Sequence, residues 1–387
     1  MKKIATVLGS IMLLIYPLNL SAQESDQVLD LNAKSVVLIE RNTGEILYQD
    51  NSNESLPPAS MTKMMTLLLI AEAIDQDKLD LEEMVRISEY AASMGGSQVF
   101  LEEHEEMSVD DLLKAIAVGS ANDASVALAE HLHGSEAAFV KAMNEKVEQL
   151  DLKHTHFKNT TGLPAKEHYS SALDMAMIAR ELLKYDFITD YTSIYEDYLR
   201  KGTEDEFWLV NTNRLIKFYP GVDGLKTGFT QEAKYCLTAT AEKNNMRLIA
   251  VVMGAESPKE RNANITRLLD YGFSQFEHHK IYDRHEAVQD LDVLKGKESS
   301  IALVTDDAVS IVTKKGGNLD QLEVKVKIKE DVMAPLKAGE ILGSLMLYWD
   351  EELVDEIALI SKEGVERASF WQLMKDSAKQ ILELGQA

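Results

Sequence analysis

Cysteine is almost missing from this chain: Cys236 is the only one in 387 residues. No internal disulfide can form, even in an oxidising compartment. Its context, Tyr235-Cys236-Leu237-Thr238-Ala239, has the texture of a strand, so it is expected to be a small buried apolar residue. Basic charge is also scarce, with 40 Lys and Arg against 64 Asp and Glu and a net charge of −24. Such acidity disfavours nucleic acid and unspecific adhesion to anionic surfaces, and it carries no information about fold. No apolar run reaches the roughly 20 residues of a membrane span. There is no internal repeat or low-complexity tract, and 45% hydrophobic with 27% charged residues is ordinary for a globular protein. His131-Leu-His133 and His154-Thr-His156 lack a third ligand, and His278-His279 reads as solvated, so no metal or other cofactor is expected.

What is present begins with the make-up of a signal peptide. Lys2 and Lys3 precede an apolar stretch from Val7 to Tyr16, and Leu20-Ser21-Ala22 is a plausible cleavage site, which predicts export. No cysteine follows the cut, so the usual lipoprotein attachment point is missing. The run from Val36 to Tyr48 reads as a hairpin turning at Asn42-Thr43-Gly44. After Pro57-Pro58-Ala59, the segment Met61 to Ile74 is apolar nearly all round, as a helix in a domain interior is. Helices are predicted from Ser108 to Val118, Ala124 to Leu132, Glu136 to Leu150 and Leu173 to Tyr185. Strands are predicted at Val222–Thr230, Ala233–Ala241 and Met246–Gly254, then a helix from Glu260 to Tyr271. Helices between an N-terminal hairpin and C-terminal strands predict an α+β domain with an antiparallel sheet. Beyond Asp283 strand texture dominates, and Leu322-Glu-Val-Lys-Val-Lys-Ile-Lys alternates as a half-buried strand does. The expected division is signal peptide 1–22, catalytic domain 23–282, a small all-β domain 283–360 and a terminal helix 361–387.

Three motifs occur once each and in fixed order: Ser60-Met-Thr-Lys63, Ser120-Ala-Asn122 and Lys226-Thr-Gly228. Ser60 needs a base to become a nucleophile. Lys63, three residues on and on the same helical face, can serve only as a neutral amine. Burial on an apolar helix and the second cation Lys226 both lower its pKa from the usual ~10.4. Ser120 can relay a proton to a leaving group, and the Asn122 amide can hold Lys63 and meet a substrate carbonyl. Lys226 and Thr227 suit a carboxylate, and Gly228 lets an extended substrate approach the strand edge. Backbone N–H groups at Ser60 and after Gly228 are placed for an oxyanion hole. Any one of these residues alone would read as a cap or a solvated charge; the ordered set reverses that reading.

On these motifs the chain resembles the low-molecular-mass penicillin-binding proteins that are serine-type D-alanyl-D-alanine carboxypeptidases. The resemblance extends to Pro58-Ala-Ser60-Met-Thr-Lys63, Gly96-Ser-Gln-Val-Phe-Leu101, Asn122-Asp-Ala124, Thr161-Gly-Leu163 and Tyr169-Ser-Ser171-Ala-Leu-Asp-Met-Ala. It implies the β-lactamase/transpeptidase-like fold, peptidoglycan stem peptides as substrate and β-lactams as inhibitors. It further implies Ser60 as acylated nucleophile, Lys63 as base, Ser120 and Asn122 as the second wall, and Lys226 with Thr227 as carboxylate binders. The N–H groups of Ser60 and Phe229 would form the oxyanion hole. Ala121 stands where many relatives carry Gly, and Phe229 where His is frequent, which removes an imidazole but keeps the backbone N–H.

A class A β-lactamase would add a Glu that activates the deacylating water. Glu196-Asp-Tyr-Leu199 resembles that stretch only faintly and ends in Arg200 rather than Asn. A non-catalytic penicillin sensor is the rival of another kind, and retention of every reactive residue argues against it. The terminal segment Ser369 to Leu384 gathers Phe370, Trp371, Leu373, Met374, Ile381, Leu382 and Leu384 on one half of a helical wheel. From Ser361 on, Lys362, Arg367, Lys375 and Lys379 balance Glu363, Glu366, Asp376 and Glu383. A neutral amphipathic helix with interfacial aromatics suits the outer face of the cytoplasmic membrane; packing on its own β domain is the alternative.

Overall fold

The computed structural model describes residues 29–374. The signal peptide expected at 1–22 and residues 375–387 of the terminal helix lie outside the described residues. Strands β1 (Ser35–Glu40) and β2 (Ile46–Asp50) form the first hairpin. A helical layer follows: α1 (Lys63–Asp75), α2 (Val109–Gly119), α3 (Asn122–His133), α4 (Glu136–Gln149) and α5 (Ala172–Leu182). An outlying hairpin, β3 (Glu196–Leu199) and β4 (Phe207–Val210), precedes β5 (Val222–Thr230), β6 (Lys234–Lys243), β7 (Met246–Ala255) and α6 (Pro258–Gln275).

The central sheet is antiparallel in the order β2-β1-β7-β6-β5, which leaves β5 at an edge. Both faces are covered, which is why every residue of β1 is buried. Val37, Ile39, Ile249, Val251 and Met253 face the core shared with α1 and α5. Leu38 and Leu248 point the other way, against α6 at Gly272, where a Cβ would lie 2.5 Å from Leu248. Serine hydroxyls accept from the first turns of four helices: Ser108 from Asp111 N, Ser135 from Ala138 N, Ser171 from Asp174 N and Ser257 from Glu260 N. Each such cap stabilises its helix by about 1 kcal/mol.

The second part comprises β8 (Phe276–Tyr282), β9 (Ala287–Asp292), β10 (Ser300–Thr305), β11 (Val309–Lys314), β12 (Leu322–Ile328), β13 (Ile341–Trp349) and β14 (Glu352–Ser361). Five of these make a sheet in the order β9-β10-β14-β13-β12, and β8 pairs with β11. The β-rich part therefore takes in residues before 283. It also extends past 360, because Val365 is buried in a cluster with Leu291, Leu303, Leu336 and Leu342. Strand β12 departs from expectation. All its residues after Leu322 are exposed, because it is an edge strand and Val324, Val326 and Ile328 continue the buried row of Leu345 and Leu347 beyond its cover.

Candidate active site

Ser60 lies in a 3-10 turn, Ala59–Thr62, that leads straight into α1. The turn is forced into a tight place. Ala59 has φ +48, a Cβ on Gly162 would sit 1.8 Å from Ala59 O, and one on Gly228 would sit 2.7 Å from Pro58 O. Glycine at 162 and 228 is thus required by the serine turn itself. For Gly228 this adds a reason to the expected one of substrate approach.

Lys63 is fully buried on the first turn of α1. Its Nζ is 2.7 Å from Asn122 Oδ1, 2.7 Å from Thr161 O and 3.3 Å from Ser60 Oγ. Two of these partners only accept, so they fix two N–H bonds and leave a neutral amine's lone pair facing the hydroxyl. Burial holds the Lys63 ammonium well below its usual range; the Lys226 charge lowers it further, against a smaller opposing pull from Asp123. Asn122 is the first residue of α3, not part of the preceding loop. It donates Nδ2 to Gly95 O at 2.6 Å, and its N–H donates to Ser97 O. Ser120 caps α2 with φ +60, buried, two residues from Asn122. No hydrogen bond joins the Ser120 hydroxyl to Ser60 or Lys63.

Lys226, Thr227, Gly228 and Phe229 lie on β5, whose free edge leaves alternate backbone groups unpaired. Lys226 is 1% exposed, and among the described residues its ammonium makes one hydrogen bond, a long 3.4 Å contact to Thr227 O. Burial, and then the nearby Arg261, push it down to about 7. Thr227 Oγ1 is 2.6 Å from Thr212 Oγ1. Phe229 is 47% exposed and stacks on Tyr235 with centroids 4.4 Å apart.

Arg261, Thr212 and Asp123 were not singled out by sequence as functional. Arg261 stands on the first turn of α6, buried, and burial pushes it down to about 10. Among the described residues its guanidinium donates to Asn262 Oδ1 alone. Among the described residues, no carboxylate pairs with Lys226 or Arg261. Two buried cations without a counter-ion make a site for an anion. Their sequence separation carries no periodic signal that could have joined them. Cys236 is buried on β6 with its thiol pushed up to about 11 by burial, which keeps it inert. His131 meets Glu83 at 2.7 Å, and among the described residues no group of His, Cys, Asp and Glu could hold a metal ion.

An antiparallel sheet flanked by helices, a serine beside a buried lysine, and a cationic edge strand opposite an amide define an active-site serine acyltransferase of the penicillin-recognising class. The chain belongs to the D-alanyl-D-alanine carboxypeptidase family, which it matches over residues 21–257. Residues 276–367 match the C-terminal domain of penicillin-binding protein 5. The chain is 54% identical over 375 residues to the D-alanyl-D-alanine carboxypeptidase DacF of Bacillus subtilis, covering 96% of each chain. Penicillin-binding protein 5 of Haemophilus influenzae superposes with a TM-score of 0.70 at 33% identity, over 88% of this chain and 99% of that one. The ampicillin-bound penicillin-binding protein D2 of Listeria monocytogenes gives a TM-score of 0.57 at 31% identity, over 63% and 99% of the two chains.

Proposed function

We propose the route by which this chain, a serine-type D-alanyl-D-alanine carboxypeptidase, removes the terminal D-Ala from peptidoglycan stem peptides. The terminal carboxylate binds at Lys226, Thr227 and Arg261, and the peptide runs along the edge of β5. Neutral Lys63 takes the Ser60 proton as Oγ attacks the penultimate carbonyl. The N–H groups of Ser60 and Phe229 hold the oxyanion. On collapse the proton passes from Lys63 through the Ser120 hydroxyl to the departing amine, and D-Ala leaves. Water then attacks the acyl carbon as Lys63 takes its proton, and Lys63 returns that proton to Ser60 Oγ as the shortened peptide leaves with a new carboxyl terminus. A β-lactam enters the same acylation step with its carboxylate at the same cations. No cofactor takes part.

The observation that carries this reading is Lys63 Nζ, held by two carbonyl oxygens and 3.3 Å from Ser60 Oγ. The test is release of D-Ala from a peptide ending in D-Ala-D-Ala, with intact-mass detection of one penicillin adduct on the wild type and none on Ser60→Ala. Labelling that survives the substitution would remove Ser60 from the mechanism.

The finer placement is that the exported enzyme works at the outer face of the cytoplasmic membrane, tethered by the helix that begins at Phe370. Its described start supports this. Phe370 and Trp371 are 70% and 81% exposed, and Ser369 caps the turn by accepting from Gln372 N. Among the described residues no helix is long and apolar enough to cross a membrane.

A further inference from the structure

We propose that Arg200, on the outlying hairpin, is a positioning residue for the acyl-transfer reaction, clamping the loop that holds Asn122 against Lys63. The loop runs from Ser93 to Glu105 without helix or strand, and Phe100 and His104 have φ of +55 and +70. Beyond backbone bonds at its two ends and the one from Asn122 N–H, side chains therefore give it its shape. From the inside, Asn122 donates to Gly95 O and Ser97 O, and the Asp123 carboxylate accepts from Val99 N at 3.0 Å and Leu101 N at 3.1 Å. From the outside, Arg200 forks onto Glu105, Nε to Oε1 at 2.6 Å and Nη2 to Oε2 at 2.9 Å. It also donates to Val99 O at 3.1 Å and Phe100 O at 3.3 Å. Residue Val99 is thus gripped at its N–H by Asp123 and at its carbonyl by Arg200.

The far end of the loop is also tied by backbone bonds, His104 N–H to Ile87 O and Ile87 N–H to Glu105 O, which leaves the Val99 and Phe100 carbonyls to Arg200. Beside it opens a cavity of about 860 Å³ in which Arg200 is the one Lys or Arg among the described lining residues, against seven carboxylates that include Glu102, Glu103, Glu105 and Glu206. Without the guanidinium these carboxylates would repel one another and drive the loop outward. Such a shift passes directly to the site. A Cβ on Gly96 would lie 2.8 Å from Asn122 Nδ2, so the loop and the amide fit without spare room. Asn122 Oδ1 is in turn one of the two acceptors that orient Lys63. An amine released from it would be better hydrated and would hold its proton more strongly.

The inference rests on Lys63 acting as base. The experiment compares wild type, Arg200→Ala, Arg200→Lys and Glu105→Gln by the second-order rate of acylation with a fluorescent penicillin across pH, beside thermal unfolding. Arg200→Ala should acylate about tenfold more slowly or worse, the scale of loss for a misplaced catalytic group. Its acid limb should move to higher pH. Arg200→Lys should recover only part of the rate, and Glu105→Gln, which keeps both carbonyl bonds, should stay near wild type. Should Arg200→Ala not fold, the displaced limb is read on Arg200→Lys. A wild-type rate with an unmoved limb would overturn the proposal. So would a loss that merely tracks the unfolded fraction. An unlabelled wild type would instead overturn the functional reading itself.

Discussion

Lys63 and Lys226 are both buried lysines, yet they face opposite demands. Lys63 must be neutral to accept a proton, whereas Lys226 must be charged to hold a carboxylate. Their surroundings separate them: Lys63 is bound by two carbonyl oxygens, while Lys226 has almost no partner until an anionic substrate arrives. Lys63→Arg should abolish penicillin labelling, because Arg keeps its proton near neutrality. Lys226→Gln should leave slow labelling with a weakened apparent affinity. The sign of its pH effect follows from the charges. Since Lys226 is pushed down to about 7, its repulsion of the Lys63 ammonium is fully present only below that pH. Removing it raises the Lys63 pKa, so the acid limb of acylation should move to higher pH in Lys226→Gln. Equal losses in the two variants, with the limb unmoved, would show that the roles are not separate. A spacing of three, which one helical turn brings together, made the Ser60–Lys63 pair legible in the sequence, although Ser60 lies in the 3-10 turn that leads into α1. The partners that fix Lys63, Asn122 and Thr161 O, lie 59 and 98 residues away, and Asn122 was reachable only through its motif.

At the scale of elements, the turn carrying Ser60 is shaped from outside by glycines on two other segments. Gly162→Ala would place a methyl 1.8 Å from a backbone oxygen at φ +82, with no side chain able to yield. Gly134→Ala is the control, since φ is +77 there and nothing lies within 4 Å of the added methyl. The control should cost about 1 kcal/mol, as left-handed backbone alone does, and Gly162→Ala at least about 2 kcal/mol more. Differential scanning calorimetry reads this as an extra fall in Tm of several degrees together with slower labelling; matching thermograms would show that the close approach is relaxed at no cost. The elements themselves were largely legible. The helix predicted from Ser108 does begin at that residue, which caps it, the turn at Asn42-Thr43-Gly44 marked the first hairpin, and β5 spans the residues its pattern assigned. What local patterning could not show was cover. The alternation in β12 gives its two faces correctly but not that the inner one runs past the sheet packed on it. Nor could it show that Arg200 reaches Glu105, 95 residues away.

For the whole molecule, the question is what the β-rich part and the terminal helix do for an active site that neither touches through its motifs. The last buried residues before the helix are Val365 and Ala368, and Ala368 N donates to Lys295 O. Truncation from Ser361 would therefore cut into the β core and confound anchoring with folding. A cut after Ser369 removes the amphipathic segment and spares that core. The truncated enzyme should no longer sediment with anionic vesicles, while its turnover of a soluble D-Ala-D-Ala peptide and its Tm stay unchanged. Loss of binding should be complete, because the remaining chain is acidic and is repelled by anionic lipid. Full-length protein should bind reversibly, since one amphipathic helix without an acyl chain inserts only shallowly. Replacing Phe370 and Trp371 by Ser should weaken binding on its own, because both are already solvent-facing and make little contact with the β-rich part. Sedimentation of the truncated chain with vesicles would place the membrane contact elsewhere. A fall in its Tm would mean that the helix packs on its own domain.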